Sequence, residues 1–270
     1  MASVEVADNQ LFYLRRGAGE PLLLIQGLSM THLHWGEPLL SRLEGDFETI
    51  AYDHRGVGRS SSVIDPFTIV DLAEDAAGLL DALELESVHV LGISMGGMVA
   101  QELVLRHPER VRTLALGGTS AGGEGSVPTD RKIIHRLGHL ITSGQAGLAM
   151  REALAYNVSP EFASDPKNLA PFRDIALELP TSLEMLVAQF EAISEHDASD
   201  RLGEIDKPTL IVHGTDDQLL PVGNARHMAS LMPHARLELL DGVAHMFWWE
   251  RPERTAALVH ELVSGAPTPQ

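Results

Sequence analysis

Short apolar runs alternate with longer amphipathic stretches along most of this chain. The apolar runs end in loops that carry Gly or Asp, as buried strands do, and they cover residues 22–25, 49–52, 88–93, 111–116, 209–212 and 237–240. Between them, apolar residues recur at spacings of three and four, which predicts helices over residues 69–83, 98–106, 222–232 and 252–263. Strands that alternate with helices predict an α/β fold with a mostly parallel central sheet and helices on both of its faces.

The alternation stops between residues 122 and 207. This segment has no convincing strand pattern, and its helix-like patterns cover residues 133–140, 146–154 and 181–193. Because the strand pattern resumes afterwards, an insertion into one domain is favoured over two tandem domains. We therefore predict a core domain of residues 1–121 and 208–270, interrupted by a helical cap (a lid) of residues 122–207 that the glycine-rich residues 117–125 lead into. The tail, residues 265–270, is predicted to be frayed.

Composition narrows the class of partner. With 270 residues, 44% of them hydrophobic, the chain can bury a large core without a metal or a disulfide. Twenty basic residues against 38 acidic ones give a formal net charge of −18, which argues against nucleic acid or an anionic membrane as a partner. The absence of cysteine excludes thiol nucleophiles and Cys-zinc sites. With no signal-peptide pattern and no apolar run long enough for a membrane span, we expect a soluble cytoplasmic protein, monomeric or homodimeric.

A Gly-x-Ser-x-Gly pattern occurs twice, at residues 92–96 and 118–122. A nucleophilic serine in this pattern occupies a sharp turn between a strand and a helix, with glycines where side chains would clash. Ser94 has a strand pattern before it and a helical pattern after it. Ser120 also follows a strand pattern, but the glycine-rich residues after it cannot start a helix soon. Ser94 is therefore the predicted nucleophile, and Ser120 is the weaker alternative.

A serine hydroxyl becomes a good nucleophile when an imidazole accepts its proton, and an acid must orient that imidazole. The loop after residues 209–212 offers Asp216 and Asp217, and the loop after residues 237–240 leads to His245. A chain order of serine, aspartate and histidine is one of the known orders of a catalytic triad. Glu124 remains a possible displaced acid.

In combination these motifs resemble the alpha/beta-hydrolase superfamily, in its carboxylesterase and enol-lactonase branch, over nearly all of the chain outside the predicted cap. Members share a Gly-x-x-Asp-x-x-x-Pro loop around the triad acid. Gly214, Asp217 and Pro221 match that loop, which favours Asp217 over Asp216. Residues 244–253 are similar to the family's catalytic-histidine loop, and residues 53–60 are similar to a structural turn beside its active site.

The resemblance also implies an oxyanion hole. It assigns the two donors to the backbone N–H groups of Leu28 and Met95. Many relatives carry His-Gly where this chain has Gln26 and Gly27. Because the donor is a backbone group, this departure bears on the substrate and should not remove the donor.

The resemblance therefore implies a serine hydrolase of carboxylic esters that acts through an acyl-enzyme on Ser94, with Asp217 and His245, and needs neither metal nor cofactor. A lactonase, a carbon–carbon bond hydrolase and a cofactor-free perhydrolase stay open, because relatives with these activities share the triad. A protein of another class, which binds a ligand without catalysis, is the remaining alternative.

The substrate is expected to be a small ester or lactone in an apolar pocket. Aromatic and thioether side chains close to the catalytic loops predict that pocket; they are Met30, Trp35, Met246 and Trp248. The alternative is that the indoles pack the last helix against the sheet. Basic residues of the predicted cap could instead form a clamp for a substrate carboxylate, but the net charge of −18 disfavours a polyanionic substrate; they are Arg131, Lys132, Arg136, Arg151 and Arg173.

Overall fold

Eight strands form one sheet in the computed structural model, which describes residues 2–61 and 65–265. The strands are β1 (Ala2–Val6), β2 (Asn9–Gly17), β3 (Glu20–Ile25), β4 (Phe47–Tyr52), β5 (Val88–Ile93), β6 (Val111–Gly117), β7 (Thr209–Gly214) and β8 (Arg236–Leu240). Their order in the sheet is β1-β2-β4-β3-β5-β6-β7-β8. The β1–β2 and β2–β4 pairs are antiparallel, and the other neighbours are parallel. The predicted mostly parallel α/β sheet is confirmed.

Helices cover both faces of this sheet. They are α1 (Glu37–Leu43), α2 (Ile69–Ala82), α3 (Met95–Arg106), α4 (Arg131–Thr142), α5 (Ala146–Asn157), α6 (Pro160–Ala163), α7 (Pro166–Glu178), α8 (Leu183–Glu195), α9 (Gly223–Leu231), α10 (Phe247–Glu250) and α11 (Pro252–Ser264). Helices α2, α3 and α9 pack on one face, and α1, α10 and α11 pack on the other. Because successive strand residues point to opposite faces, Leu23 and Ile25 join the first core cluster while Leu22 and Leu24 join the second.

The six predicted strands are all present, and each extends the predicted range by at most two residues. The antiparallel hairpin of β1 and β2 was not predicted. It lies at the edge of the sheet, where most of β1 stays exposed and only Leu11 and Phe12 of β2 are buried. Such a hairpin has no continuous apolar run to mark it.

Five helices, α4 to α8, lie between β6 and β7, and no strand occurs among residues 122–207, all of which have a described backbone. The chain enters and leaves this helical segment at one place. Gly122 forms a β-bridge with Asp197, and Ala198 N–H donates to the carbonyl of Ala121 at 2.8 Å. Gly122 has a φ of +74°, and a Cβ there would lie 1.9 Å from the carbonyl oxygen of His196, so glycine is needed at this crossing. The tail beyond Gly265, predicted to be frayed, lies outside the described residues.

A buried polar cluster holds this crossing against α3. Glu102 of α3 is almost fully buried and accepts two hydrogen bonds from the guanidinium of Arg201, at 2.9 and 2.5 Å. His196 lies beside the pair, with its Nδ1 3.7 Å from a carboxylate oxygen of Glu102. Burial lowers the pKa of His196 to about 4, because the charged imidazolium would be removed from water.

Acidification from neutral pH is expected to lower the free energy of unfolding. Burial lowers the pKa of His34, as of His196, to about 4, whereas an unfolded histidine titrates near about 6.5. Between these values the unfolded state binds more protons. The contribution of these two neutral histidines to the free energy of unfolding is therefore complete above about pH 6.5. It is lost towards pH 4, and it amounts to on the order of 3 kcal/mol per histidine.

Urea denaturation at about pH 7 and about pH 5 measures this loss. His196→Gln should flatten the pH dependence, and His135→Gln, on an exposed face of α4, should leave it unchanged. Equal unfolding free energies at both pH values in the wild type would contradict the assignment.

Candidate active site

Ser94 occupies a sharp turn between β5 and α3. Its φ is +56° and its ψ is −122°, a conformation that costs a non-glycine residue on the order of 1–3 kcal/mol. The neighbouring glycines make the turn possible: a Cβ on Gly92 would lie 2.4 Å from the carbonyl oxygen of Gly96, and a Cβ on Gly96 would lie 2.1 Å from that of Ile25. The strand–turn–helix context that the sequence predicts is present, and Ser94 remains partly exposed.

Ser120 lies in different surroundings. It is buried in the loop after β6, and the next helix, α4, begins only at Arg131. Its hydroxyl oxygen accepts the N–H of Gly122 at 3.3 Å, and its carbonyl accepts the side-chain amide of Gln101 at 3.0 Å. These hydrogen bonds indicate that Ser120 has a structural role, because they hold the loop where the helical segment begins.

Asp217 and His245 meet at the ends of β7 and β8. Oδ2 of Asp217 accepts a hydrogen bond from Nδ1 of His245 at 2.6 Å, and both residues are buried. The other oxygen, Oδ1, accepts the N–H groups of Leu219 and Leu220, each at 2.9 Å. Asp216 is exposed, and its Oδ1 accepts the hydroxyl of the adjacent Thr215 at 3.2 Å. It is therefore Asp217 that the fold brings to His245.

A second histidine, His213, lies against the same carboxylate and was missed by sequence reasoning. Its Nε2 is 2.6 Å from the carbonyl oxygen of Leu220 and 3.2 Å from Oδ2 of Asp217. Burial by itself raises the pKa of Asp217. The adjacent His245 and His213 outweigh burial, through their positive charge when protonated and through their hydrogen bonds, and hold that pKa well below its usual range. An ionised carboxylate only accepts hydrogen bonds, so the hydrogen of His245 resides on Nδ1 and Nε2 is left to accept a proton.

Gly117, the last residue of β6, and Gly118, which follows it, contact Ser94 and His245 respectively. The carbonyl of Gly117 accepts the backbone N–H of Ser94 at 2.9 Å. A Cβ on Gly118 would lie 3.4 Å from two ring atoms of His245. The imidazole therefore packs against the backbone that borders the Ser94 turn.

The loop after β3 passes on the other side of Ser94. A Cβ on Gly27 would lie 3.0 Å from Cβ and 3.5 Å from Oγ of Ser94. Leu28 is the next residue of this loop. Met95 is the first residue of α3, where a backbone N–H has no acceptor within the helix. Neither Leu28 nor Met95 donates its N–H to an acceptor in residues 2–61 or 65–265.

The peptide bond between Gln26 and Gly27 is held at both of its polar groups. Nε2 of His54 donates to the carbonyl of Gln26 at 2.9 Å, and Oε1 of Gln26 accepts the N–H of Gly27 at 3.0 Å. His54 belongs to the segment 53–60 that resembles a structural turn beside the active site. The sequence therefore predicted that His54 lies near the site, but it did not reveal the hydrogen bond to Gln26. These bonds position the loop that carries Leu28.

Three of the four predicted pocket residues, Trp35, Met246 and Trp248, lie in the second core cluster and are almost fully buried. The rings of Trp35 and Trp248 are 6.1 Å apart. The indole N–H groups of Trp248 and Trp249 both donate to the carbonyl of His34, at 2.9 and 2.7 Å. Met30 is partly buried against the same cluster. This packing favours the alternative that the indoles hold the last helices against the sheet.

The basic residues considered for a carboxylate clamp are all exposed; they are Arg131, Lys132, Arg136, Arg151 and Arg173. Arg136 pairs with Glu152, and Arg173 pairs with its neighbour Asp174. Solvated cations of this kind hold an anion weakly, so the structure offers no support for the clamp.

Glu250 of α10 is a further buried group that the sequence did not reveal. One oxygen accepts the N–H groups of Ser159 and Ala244, both at 3.0 Å, and the other accepts the hydroxyl of Ser159. Ala244 precedes His245, and Ser159 belongs to the helical segment. Glu250 therefore links the loop that carries His245 to the helical segment of residues 122–207 through hydrogen bonds.

No group of three or more His, Asp or Glu side chains in the described part of the chain is arranged to hold a metal ion. The helices within the described ranges are all too short or too polar to cross a membrane.

Residues 20–252 match the family model of the alpha/beta hydrolase fold. The chain belongs to this family and is a hydrolase.

Proteins similar to this chain carry the names of different hydrolases. It is 31% identical over 243 residues to the "Putative carbamate hydrolase RutD" of Azorhizobium caulinodans, which covers 89% of both chains. It is also 31% identical over 252 residues to a poly(3-hydroxyalkanoate) depolymerase of Ectopseudomonas oleovorans, covering 90% of this chain and 84% of that one. The structure of the enol-lactonase from Burkholderia xenovorans LB400 covers 97% of this chain and 100% of its own, at 26% identity and a TM-score of 0.86.

Proposed function

We propose that this protein hydrolyses carboxylic esters through an acyl-enzyme formed on Ser94. The observation that carries the proposal is the buried hydrogen bond of 2.6 Å between Asp217 and His245. The imidazole packs on Gly118, next to the backbone that borders the strained turn of Ser94. His245 accepts the proton of Ser94 as the oxygen attacks the carbonyl carbon, and it then protonates the leaving alcohol. In the second half, His245 activates a water molecule that releases the acid.

The negative charge that develops on the carbonyl oxygen needs donors that are already in place. In the proposal these are the backbone N–H groups of Leu28 and Met95, which have no other acceptor within the described residues. Such preorganised donors each contribute on the order of 3 kcal/mol to transition-state stabilisation. The bonds that hold Gln26 and Gly27 support this role, because they keep the first donor's loop in place.

Residues 122–207 act in this proposal as a cap over the site. The supporting contacts reach the loops that follow the strands. Thr181 donates to the carbonyl of Ser29 at 2.9 Å, Phe172 packs edge-on against His34, and Asn157 accepts the N–H of Met246 at 2.8 Å. A cap that contacts the loops after β3 and β8 can shape the acyl site and exclude water from it.

The substrate in this proposal is a neutral, small to medium-sized ester. A lactone is the second candidate, because it is an internal ester open to the same attack and the structure of an enol-lactonase is similar to 97% of this chain. The activity does not require a metal or cofactor. The cytoplasmic location and the monomeric or homodimeric state remain predictions from the sequence.

Neutral apolar or aromatic esters are expected to give a kcat/KM about tenfold higher than carboxylate-bearing analogues of equal size. The net charge of −18 repels anions, and the cap's cations are exposed and partly paired. A panel of matched esters and lactones, assayed with the wild type and with Ser94→Ala, measures the ratio. A tenfold preference for the carboxylated analogue that disappears in Arg151→Ala would reverse the proposal in favour of a clamp for anionic substrates.

A further inference from the structure

Gln189 of α8 carries an unpaired amide group beside the loop that follows β3. The residue is fully buried. Its Oε1 accepts the backbone N–H of Ser29 at 2.8 Å, whereas its Nε2 has no hydrogen-bond partner among residues 2–61 and 65–265. A buried NH₂ group without an acceptor is unfavourable, so this group calls for an oxygen that the described chain does not supply.

The orientation of this amide is determined by its partner. The N–H of Ser29 can only donate, so the oxygen of Gln189 faces Ser29 and the NH₂ group faces away from it. Ser29 has a φ of +61°. It is held in place by Thr181, whose hydroxyl donates to the carbonyl of Ser29 at 2.9 Å. Two hydrogen bonds from the cap therefore keep both the loop and the amide in place.

The same loop carries the proposed oxyanion donor. Gly27 packs against the side chain of Ser94, Leu28 follows with its free N–H, and Ser29 binds Gln189. Three consecutive residues thus bring together the nucleophile, the donor for the carbonyl oxygen and the amide from the cap. The unpaired NH₂ group belongs to the same amide whose oxygen is hydrogen-bonded to this loop, and the loop would bind the carbonyl oxygen.

The order of strands indicates which part of an ester would face Gln189. Ser94 follows β5, which has β3 on one side and β6 on the other. Gln189 approaches the loop after β3, and His245 lies against Gly118, which follows β6. The leaving alcohol must lie beside His245 to be protonated. Gln189 is therefore on the side opposite the leaving alcohol, where the carbonyl oxygen and the acyl group lie. The backbone N–H of Leu28 is assigned to the carbonyl oxygen, which leaves the acyl group for Gln189.

We propose that Nε2 of Gln189 donates a hydrogen bond to a second oxygen of the substrate, carried by the acyl group a few bonds from the scissile carbonyl. The inference rests on the proposed function and refines its substrate class to neutral esters or lactones whose acyl part bears a hydroxyl or carbonyl oxygen. A neutral amide suits such a neutral acceptor, and a site built to bind an oxygen discriminates against the analogue that lacks it.

Two esters that differ in one oxygen test the proposal. Phenyl 3-hydroxybutanoate and phenyl butanoate have the same chain and leaving group, and each kcat/KM is divided by the ester's rate of hydrolysis by hydroxide. The wild type should prefer the hydroxylated ester by about tenfold. Gln189→Met, which loses the donor at similar volume, should bring the ratio close to one. Gln145→Met, at an exposed position of the cap, should keep the wild-type ratio.

Two further variants separate recognition from positioning. Thr181→Val loosens the hold on Ser29 but leaves Nε2 of Gln189, so it should slow both esters equally and keep the ratio. Gln189→Leu also lacks the donor, so it should lose the ratio as Gln189→Met does, which covers the case in which the methionine variant does not fold.

A wild type without preference, or a loss in both Gln189 variants that is equal for the two esters, would overturn the inference while ester hydrolysis stands. Absence of Ser94-dependent hydrolysis of either ester would instead overturn the proposed function.

Discussion

Replacing Ser94 with alanine is expected to lower kcat by about 10⁴-fold or more on any ester that the protein hydrolyses. The variant keeps the pair of Asp217 and His245 and the backbone donors, but it loses the oxygen that attacks the carbonyl carbon. Because Ser94 is partly exposed and the change only removes one atom, the variant should stay folded. Steady-state kinetics with phenyl butanoate, beside circular dichroism of both proteins, measure the effect.

Ser120→Ala is the matched control, because Ser120 stands in the second copy of the same pattern and makes only structural contacts. It should keep most of the activity. A fluorophosphonate probe should label the wild type on Ser94 and leave Ser94→Ala unlabelled. A folded wild type that does not react with the probe and hydrolyses no ester would refute the proposed serine esterase activity and favour the ligand-binding alternative.

Replacing Asp217 with asparagine is expected to lower kcat by roughly 10³ to 10⁴-fold. Its Oδ1 can still accept the N–H groups of Leu219 and Leu220, so the loop should persist. The amide NH₂ group then faces Nδ1 of His245, which favours the tautomer whose hydrogen is on Nε2. That tautomer cannot accept the proton of Ser94.

Asp216→Asn is the control for this change. Asp216 is adjacent in sequence but exposed, and among residues 2–61 and 65–265 its side chain makes one hydrogen bond, with Thr215. The variant should therefore keep nearly all of the activity. If Asp216→Asn were the damaging change and Asp217→Asn the mild one, the assignment of the triad acid would be wrong.

The strands of the central sheet were predictable because burial on both faces favours apolar residues at most positions. β5 and β7 show this most clearly, since every residue in them is buried. The same reasoning fails for α7, which contains Pro171 and no buried residue. Its apolar residues Leu169 and Phe172 are only half-buried, against the second core cluster. The amphipathic pattern is therefore weak, and tertiary contacts must supply the stability of the helix.

The candidate nucleophile, acid and base could be chosen from the sequence because each depends on a local pattern. The glycines around Ser94 are required by backbone contacts within the turn and with the adjacent strand. The residues that support the site had no such pattern. Glu250 contacts Ser159 at a separation of 91 residues, and Gln189 contacts Ser29 at a separation of 160. A buried acceptor or donor is recognised only when its distant partner is known.

The sequence by itself determined six of the eight strands, the turn at Ser94 and the order of the candidate triad, because strand burial and a steric turn leave local signals in residue types. The tertiary structure added the contact by which Asp217, which the sequence favours over Asp216, reaches His245. Only the tertiary structure decided that Trp35 and Trp248 close the core. It alone placed the amide of Gln189 beside the loop of Leu28. These outcomes depend on how separate elements pack, and packing is set by the summed fit of distant side chains, which no short stretch of sequence contains.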